Sequence, residues 1–281
     1  MKKSALKLIV YAAIPGFLLS SCASVPTGVG PGCINPNAVN YDANAAYDNG
    51  SCVVIDEKSY SLFFQYASTG DPDCDDVNFN SVFLPNSGKV LGFRLPDGDL
   101  FSWAGNDSVK TVFGVNYAHT IILPEYVSNE TFQGINFANA NADISSRYGL
   151  APEAGIGIYY TVGGGVNAGK LNINLYVKFF SPQSGYYAGV YVLHKSIVED
   201  QNVGGTTDTN FVHKHIMMAP VTAVFGDPIP AAEVGAGKVY HIGYVFPYTL
   251  IPNLNTNSIE VVGILWRKTG ATYRVINVTP N

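Results

Sequence analysis

The side chains best suited to chemistry are four cysteines, a pair of histidines and a knot of short carboxylates and amides. His213 and His215 stand two apart in a strand-like run, a spacing that puts both rings on one face. With a third ligand from His194 or His241 on a neighbouring strand, such a pair would hold zinc or copper. Without one, each ring bonds backbone or a carboxylate, and both readings stay open. Asp42, Asn44, Asp48 and Asn49 gather hard oxygen donors of the kind calcium prefers. The same residue types also form turns by accepting from their own backbone, and the EF-hand spacing is incomplete. Hydrolase chemistry lacks its Gly-x-Ser-x-Gly. Gly163-Gly164-Gly165 reads as a hairpin turn, because no Lys-Ser or Lys-Thr follows it to complete a phosphate-binding loop.

The cysteines divide by position. Lys2, Lys3 and Lys7 form a cationic head, residues 6–19 run apolar with few interruptions, and Leu18-Leu19-Ser20-Ser21-Cys22 closes the stretch. This is the layout of a signal peptide, too short and too interrupted for a spanning helix. Its end resembles the lipobox of bacterial lipoproteins, where small residues precede a cysteine that receives diacylglycerol and becomes the new N-terminus. The resemblance implies lipid on Cys22 and a chain folded outside the cytoplasm. Cys33, Cys52 and Cys74 then remain, an odd number for an oxidising compartment. Cys33 and Cys52 bracket a turn-rich segment and are the expected pair, closing a loop worth roughly 3 kcal/mol on the chain-entropy account. Cys52 with Cys74 is the competing pairing.

Taking the three leader lysines from the 16 basic residues leaves 13 against 21 acidic ones, a net charge of −8. The sequence has no cluster of Lys and Arg such as a duplex-binding surface needs, so no nucleic-acid partner is expected. Charged residues make up 13% of the chain where about 25% is usual, and Gly, Tyr, Phe, Asn and Val take their place. That balance suits an extracellular β protein.

Five segments follow: a leader (1–21), a lipidated Pro/Gly tether (22–32), a cystine-linked Asn/Asp-rich module (33–54), an α/β region (55–150) and a strand-rich region (151–281). The module, GCINPNAVNYDANAAYDNGSC, resembles a short repeat found in exported bacteroidete proteins. In the α/β region, residues 60–66, 89–95 and 117–123 read as strands with two weakly helical stretches between them. Phe113-Gly114-Val115-Asn116-Tyr117-Ala118-His119-Thr120 looks like the thioredoxin-fold turn that carries a cis-proline, with His119 in the proline's place. Cys74 lies where that family carries its cysteine pair. With one cysteine, and with Asp71, Asp73, Asp75 and Asp76 disfavouring a thiolate, the resemblance implies a scaffold without redox chemistry.

Beyond residue 154 seven strand patterns (156–162, 171–179, 186–194, 210–225, 239–246, 259–267 and 272–278) predict a C-terminal antiparallel β-sandwich. The run Asn210-Phe211-Val212-His213-Lys214-His215-Ile216-Met217-Met218-Ala219, followed by Phe225-Gly226-Asp227-Pro228-Ile229, looks like the C-terminal part of the twenty-eight-kilodalton outer-membrane protein family of bacteroidetes. Asp107-Ser108-Val109 fits the pattern at which bacteroidete periplasmic proteins are O-glycosylated, which makes Ser108 a modification candidate.

The expectation is a mostly β, non-enzymatic outer-membrane lipoprotein that binds a protein or glycan partner at the envelope. Its amphipathic tyrosines would serve either partner. The alternatives are a thiol protein using Cys74, or a self-associating component of a surface filament or matrix.

Overall fold

The computed structural model describes residues 30–70, 76–96, 105–114, 121–123, 128–130, 137–251 and 254–280. Cys22, Cys74 and His119 lie outside them. The described residues open with two short parallel strands, β1 (Gly30–Gly32) and β2 (Ala45–Asp48), in a loop closed by a Cys33–Cys52 disulfide with Cα atoms 4.8 Å apart. Just after the disulfide, Val53 and Ile55 are buried. They lie against Gly157 and Gly155, where an added Cβ would stand 2.4 and 2.3 Å from their side chains. Those two glycines make the seat on which the module rests.

The α/β region runs β3 (Ser61–Ala67), α1 (Asp76–Phe83), β4 (Val90–Pro96), α2 (Asn106–Phe113), β5 (Ile121–Leu123), β6 (Ser128–Glu130) and α3 (Phe137–Tyr148). β3 pairs parallel with β4 and antiparallel with β5, and β5 pairs with β6. The resulting order, second-first-third-fourth, is that of a thioredoxin-like core. β4 is buried along its whole length, as a strand covered on both faces must be. Phe63 and Val90 meet Phe79 and Val82 of α1 and Ala140 and Ile144 of α3. Leu62, Phe64, Tyr66, Leu91, Phe93 and Leu95 point the other way.

The strand-rich region adds β7 (Ala154–Val162), β8 (Leu171–Phe179), β9 (Tyr186–Val198), β10 (Gln201–Val203), β11 (Thr206–Asp208), β12 (Val212–Pro220), β13 (Asp227–Pro228), β14 (Val239–Phe246), β15 (Ile259–Thr269) and β16 (Thr272–Val278). β12 pairs with β9 on one side and parallel with β4, Ile216 opposite Arg94, on the other. One sheet therefore runs β16-β15-β9-β12-β4-β3-β5-β6 through both regions, with β13 beside β9. Residue 150 divides the chain but not the sheet. The strand expected over residues 210–225 is shorter than its sequence pattern. It ends at Pro220, and Gly226 (φ 83°) turns the chain so that β13 pairs with β9. A Cβ on Gly226 would stand 2.6 Å from the Ala188 backbone.

A second sheet, β14-β8-β7, packs onto the long one and completes the sandwich. Its Leu171, Ile173, Leu175, Val177 and Phe179 meet Ala188, Val190 and Val192 of β9 and Val261 and Leu265 of β15. β9 is buried on both faces, because Tyr191 and Leu193 join the other core. That core mixes residues of β3 and β4 with Ile264 and Trp266 of β15 and Val275 and Val278 of β16. The long sheet thus curls until its β16 end approaches β3, where Tyr60 donates its amide to Asn277 Oδ1 at 2.9 Å.

Tyr191 sits wholly inside the curl, donating to Val224 O (2.7 Å) and accepting from Trp266 Nε1 (2.8 Å). Burial pushes its phenol well above the ordinary tyrosine range. Tyr244 and Tyr60 are raised too, first by burial and then by Asp227 and Asp56 beside them. A folded-state value above the unfolded one of about 10 gives stability that is fully present below pH ~10 and is lost as pH rises beyond it. The unfolding midpoint is expected to hold steady up to about pH 9.5 and to fall above pH 10. The 295 nm phenolate signal of the 18 tyrosines should remain incomplete until the chain unfolds. Full ionisation by pH 11 with near-ultraviolet circular dichroism unchanged would contradict this.

Candidate functional site

The sequence candidates fare unevenly in three dimensions. His215 takes a left-handed backbone (φ 51°), which interrupts the alternation on which a face shared with His213 depends. His213 is buried, edge-on to Phe211 with ring centres 4.8 Å apart. His215 packs on Phe83 and Phe79 of α1, and its Nδ1 lies 3.2 Å from Glu260 Oε2. His194 lies opposite Ile216 in the long sheet, and His241 belongs to the other sheet. Among the described residues no group of three or more His, Cys, Asp or Glu side chains is placed to hold a metal.

In the cystine module, Asp42 Oδ1 accepts from the Asn44 amide, Asp48 Oδ1 from Gly50 and Asn49 Oδ1 from Ser51, all near 2.9–3.0 Å. These oxygens close Asx turns. Ser108 is exposed in the first turn of α2, so its hydroxyl is accessible for modification.

What the fold does assemble is an outer face of polar and aromatic side chains on the three-stranded sheet. β8 alternates without a break, burying Leu171, Ile173, Leu175, Val177 and Phe179 and turning Asn172, Asn174, Tyr176 and Lys178 outward. Register brings Tyr159 of β7 beside Asn174, and His241 of β14 beside Tyr176. The Tyr176 and His241 rings stack at 4.5 Å with planes 15° apart, and His241 Nε2 lies 3.1 Å from Asn174 Oδ1. Partial burial raises the Tyr176 phenol above its usual range, so it stays a neutral hydrogen-bonding group at physiological pH. The module rests on Gly155 and Gly157, which pair in register with Lys178 and Tyr176, so Tyr176 stands beside the module and Tyr159 lies one step beyond it. The result is a sheet surface whose aromatic ring is fixed by its neighbours and whose flanking amides donate and accept hydrogen bonds.

Half of this platform was legible in sequence, since the period of β8 identifies its wet residues. Tyr159 and His241 join it only through cross-strand register, for which no local signal exists.

No protein-family profile and no curated protein matches the chain. Solved structures do. HBP35 of Porphyromonas gingivalis superposes with a TM-score of 0.65 at 13% identity, over 79% of this chain and 74% of that one. That coverage exceeds either region taken alone, so the likeness extends across the α/β and the strand-rich regions together. A protein from Agrobacterium tumefaciens matches 79% of this chain and 94% of its own at TM-score 0.48 and 12% identity. A domain of the outer membrane lipoprotein Omp28 from Porphyromonas gingivalis matches 45% of this chain and 84% of its own at TM-score 0.30 and 13% identity. At these identities the HBP35 match establishes a shared fold and nothing of activity.

Proposed function

We propose that the protein is a lipid-anchored binding component of the outer membrane, without catalytic activity, whose recognition surface is the outer face of β7, β8 and β14. The observation that carries this reading is the stacked Tyr176–His241 pair flanked by Asn174, Asn172 and Tyr159. Ring faces cover the apolar faces of sugars, and amides meet their hydroxyls, at little cost in side-chain entropy because the rings are already held. A glycan of the envelope is the partner this chemistry fits. The leader and its cysteine support the location.

The test is calorimetric titration of the protein with polysaccharide purified from the envelope of the producing cell. Replacing Tyr176 with Ala removes the stacked ring and is expected to weaken binding about tenfold, or roughly 1.4 kcal/mol. Because Tyr176 lies on the wet face, the unfolding midpoint should move by no more than about 2 °C. Equal affinity in wild type and variant would remove this face from consideration.

A further inference from the structure

The chain has only four arginines, and three of them converge on one corner. Glu153, just ahead of β7, takes Arg267 Nη1 and the Tyr186 hydroxyl on Oε2, and Arg274 Nη2 on Oε1 at 3.0 Å. Arg147, at the end of α3, donates from Nη2 to Ile276 O at 2.7 Å and from Nε to Tyr60 O. Arg147, Arg274 and Glu153 line one surface pocket of about 170 Å³ together with Ser59, Pro152 and Ile276. Lys58 and Lys89 stand 5.2 and 5.8 Å from the Tyr148 ring, at the adjoining end of α3. Positions 58, 89, 147, 267 and 274 are far apart in sequence, which is why no basic cluster is visible there.

Among the described residues Glu153 is the one carboxylate of the lining, set against Arg147 and Arg274 there and bonded also by Arg267, which leaves the pocket with surplus positive charge on a chain that is acidic overall. Arg267 is largely covered, with 12% of its side chain exposed, whereas Arg274 is 48% exposed and belongs to the pocket lining. A planar guanidinium held in place by one oxyanion, with further donors open to solvent, is suited to take a second in bidentate fashion. We propose that this pocket binds a small oxyanion, the carboxylate of an acidic sugar or the phosphate of a lipid headgroup, with Arg274 as the contacting fork and Glu153 as the resident carboxylate that holds the arginines and limits affinity.

The role given to Glu153 separates a binding site from an ion pair that only stabilises the fold. Titration of the full chain with inorganic phosphate is expected to show saturable binding. Arg274→Gln should weaken it about tenfold, and Glu153→Gln, which keeps the shape and removes the competing charge, should tighten it about fivefold or more. Glucuronate and glycerol phosphate, titrated in parallel, identify whether the sugar acid or the headgroup is preferred, and binding of either supports the site. No saturable binding of any of the three by folded wild type would overturn the proposal. So would a folded Glu153→Gln protein that binds phosphate no better than wild type.

Discussion

Replacing Asn277 with Ala is expected to lower the unfolding midpoint by about 10 °C, although the residue is polar, lies near the C-terminus and touches no proposed ligand. Asn277 is 1% exposed. Its Nδ2 donates to Lys58 O at 2.8 Å and to Ala154 O at 3.0 Å, while Oδ1 accepts from the amides of Tyr60 and Val278. One side chain thereby ties β16 to the segment leading into β3 and to the start of β7, the place where the long sheet curls back on itself. Alanine leaves buried backbone groups unpaired at about 1–3 kcal/mol each. Allowing for relaxation, a total near 3–5 kcal/mol follows, and a chain of this size loses roughly 2–4 °C per kcal/mol. Asn277→Asp is the sharper control. It keeps the shape but faces two carbonyl oxygens with a carboxylate, so it should be at least as destabilising. Scanning calorimetry that shows a shift of under 2 °C for the alanine variant would mean that water replaces the amide and that the curl is held elsewhere.

The same residue marks the limit of what the sequence discloses. Strand periods are local, and they placed β8 and β14 to the residue because each alternates between a packed and a wet face. β9 reads as continuous apolar sequence because it separates two cores. Helix α3 carries almost no apolar period, FANANADISSRY, and buries Ala140 and Ile144 one turn apart, so it left no amphipathic signature. The union of the two regions into one sheet rests on β12 meeting β4, more than 100 residues earlier in the chain. No window of sequence contains that pairing. The shared face of the histidine pair was misread for a related reason, since the spacing argument assumes extended backbone at every position and His215 departs from it. The platform, the arginine corner and the Asn277 junction are all products of non-local register. Residue types alone pointed toward the cystine pair and the fold class, and toward little of the surface chemistry.

Replacing Cys22 with Ser is expected to abolish acyl labelling and to remove the protein from the outer-membrane fraction. Each buried methylene contributes about 0.8 kcal/mol, and a single myristoyl chain gives only marginal, reversible attachment. A lipoprotein with several chains is held essentially without dissociation, and one with none has only its folded surface to hold it. No described helix is long and apolar enough to cross a membrane. Such an anchor would also constrain the partner: the eight residues from Cys22 to the start of β1 reach at most about 28 Å. A fold on so short a connection samples ligands at the membrane face rather than free in the surrounding fluid, which favours envelope glycans and headgroups over soluble molecules. The control is Cys33→Ser together with Cys52→Ser, which opens the module and should leave acyl labelling intact. Mass spectrometry of the mature protein that found an unprocessed methionine start and no acyl groups would remove the anchor, and with it the argument that the partner belongs to the envelope.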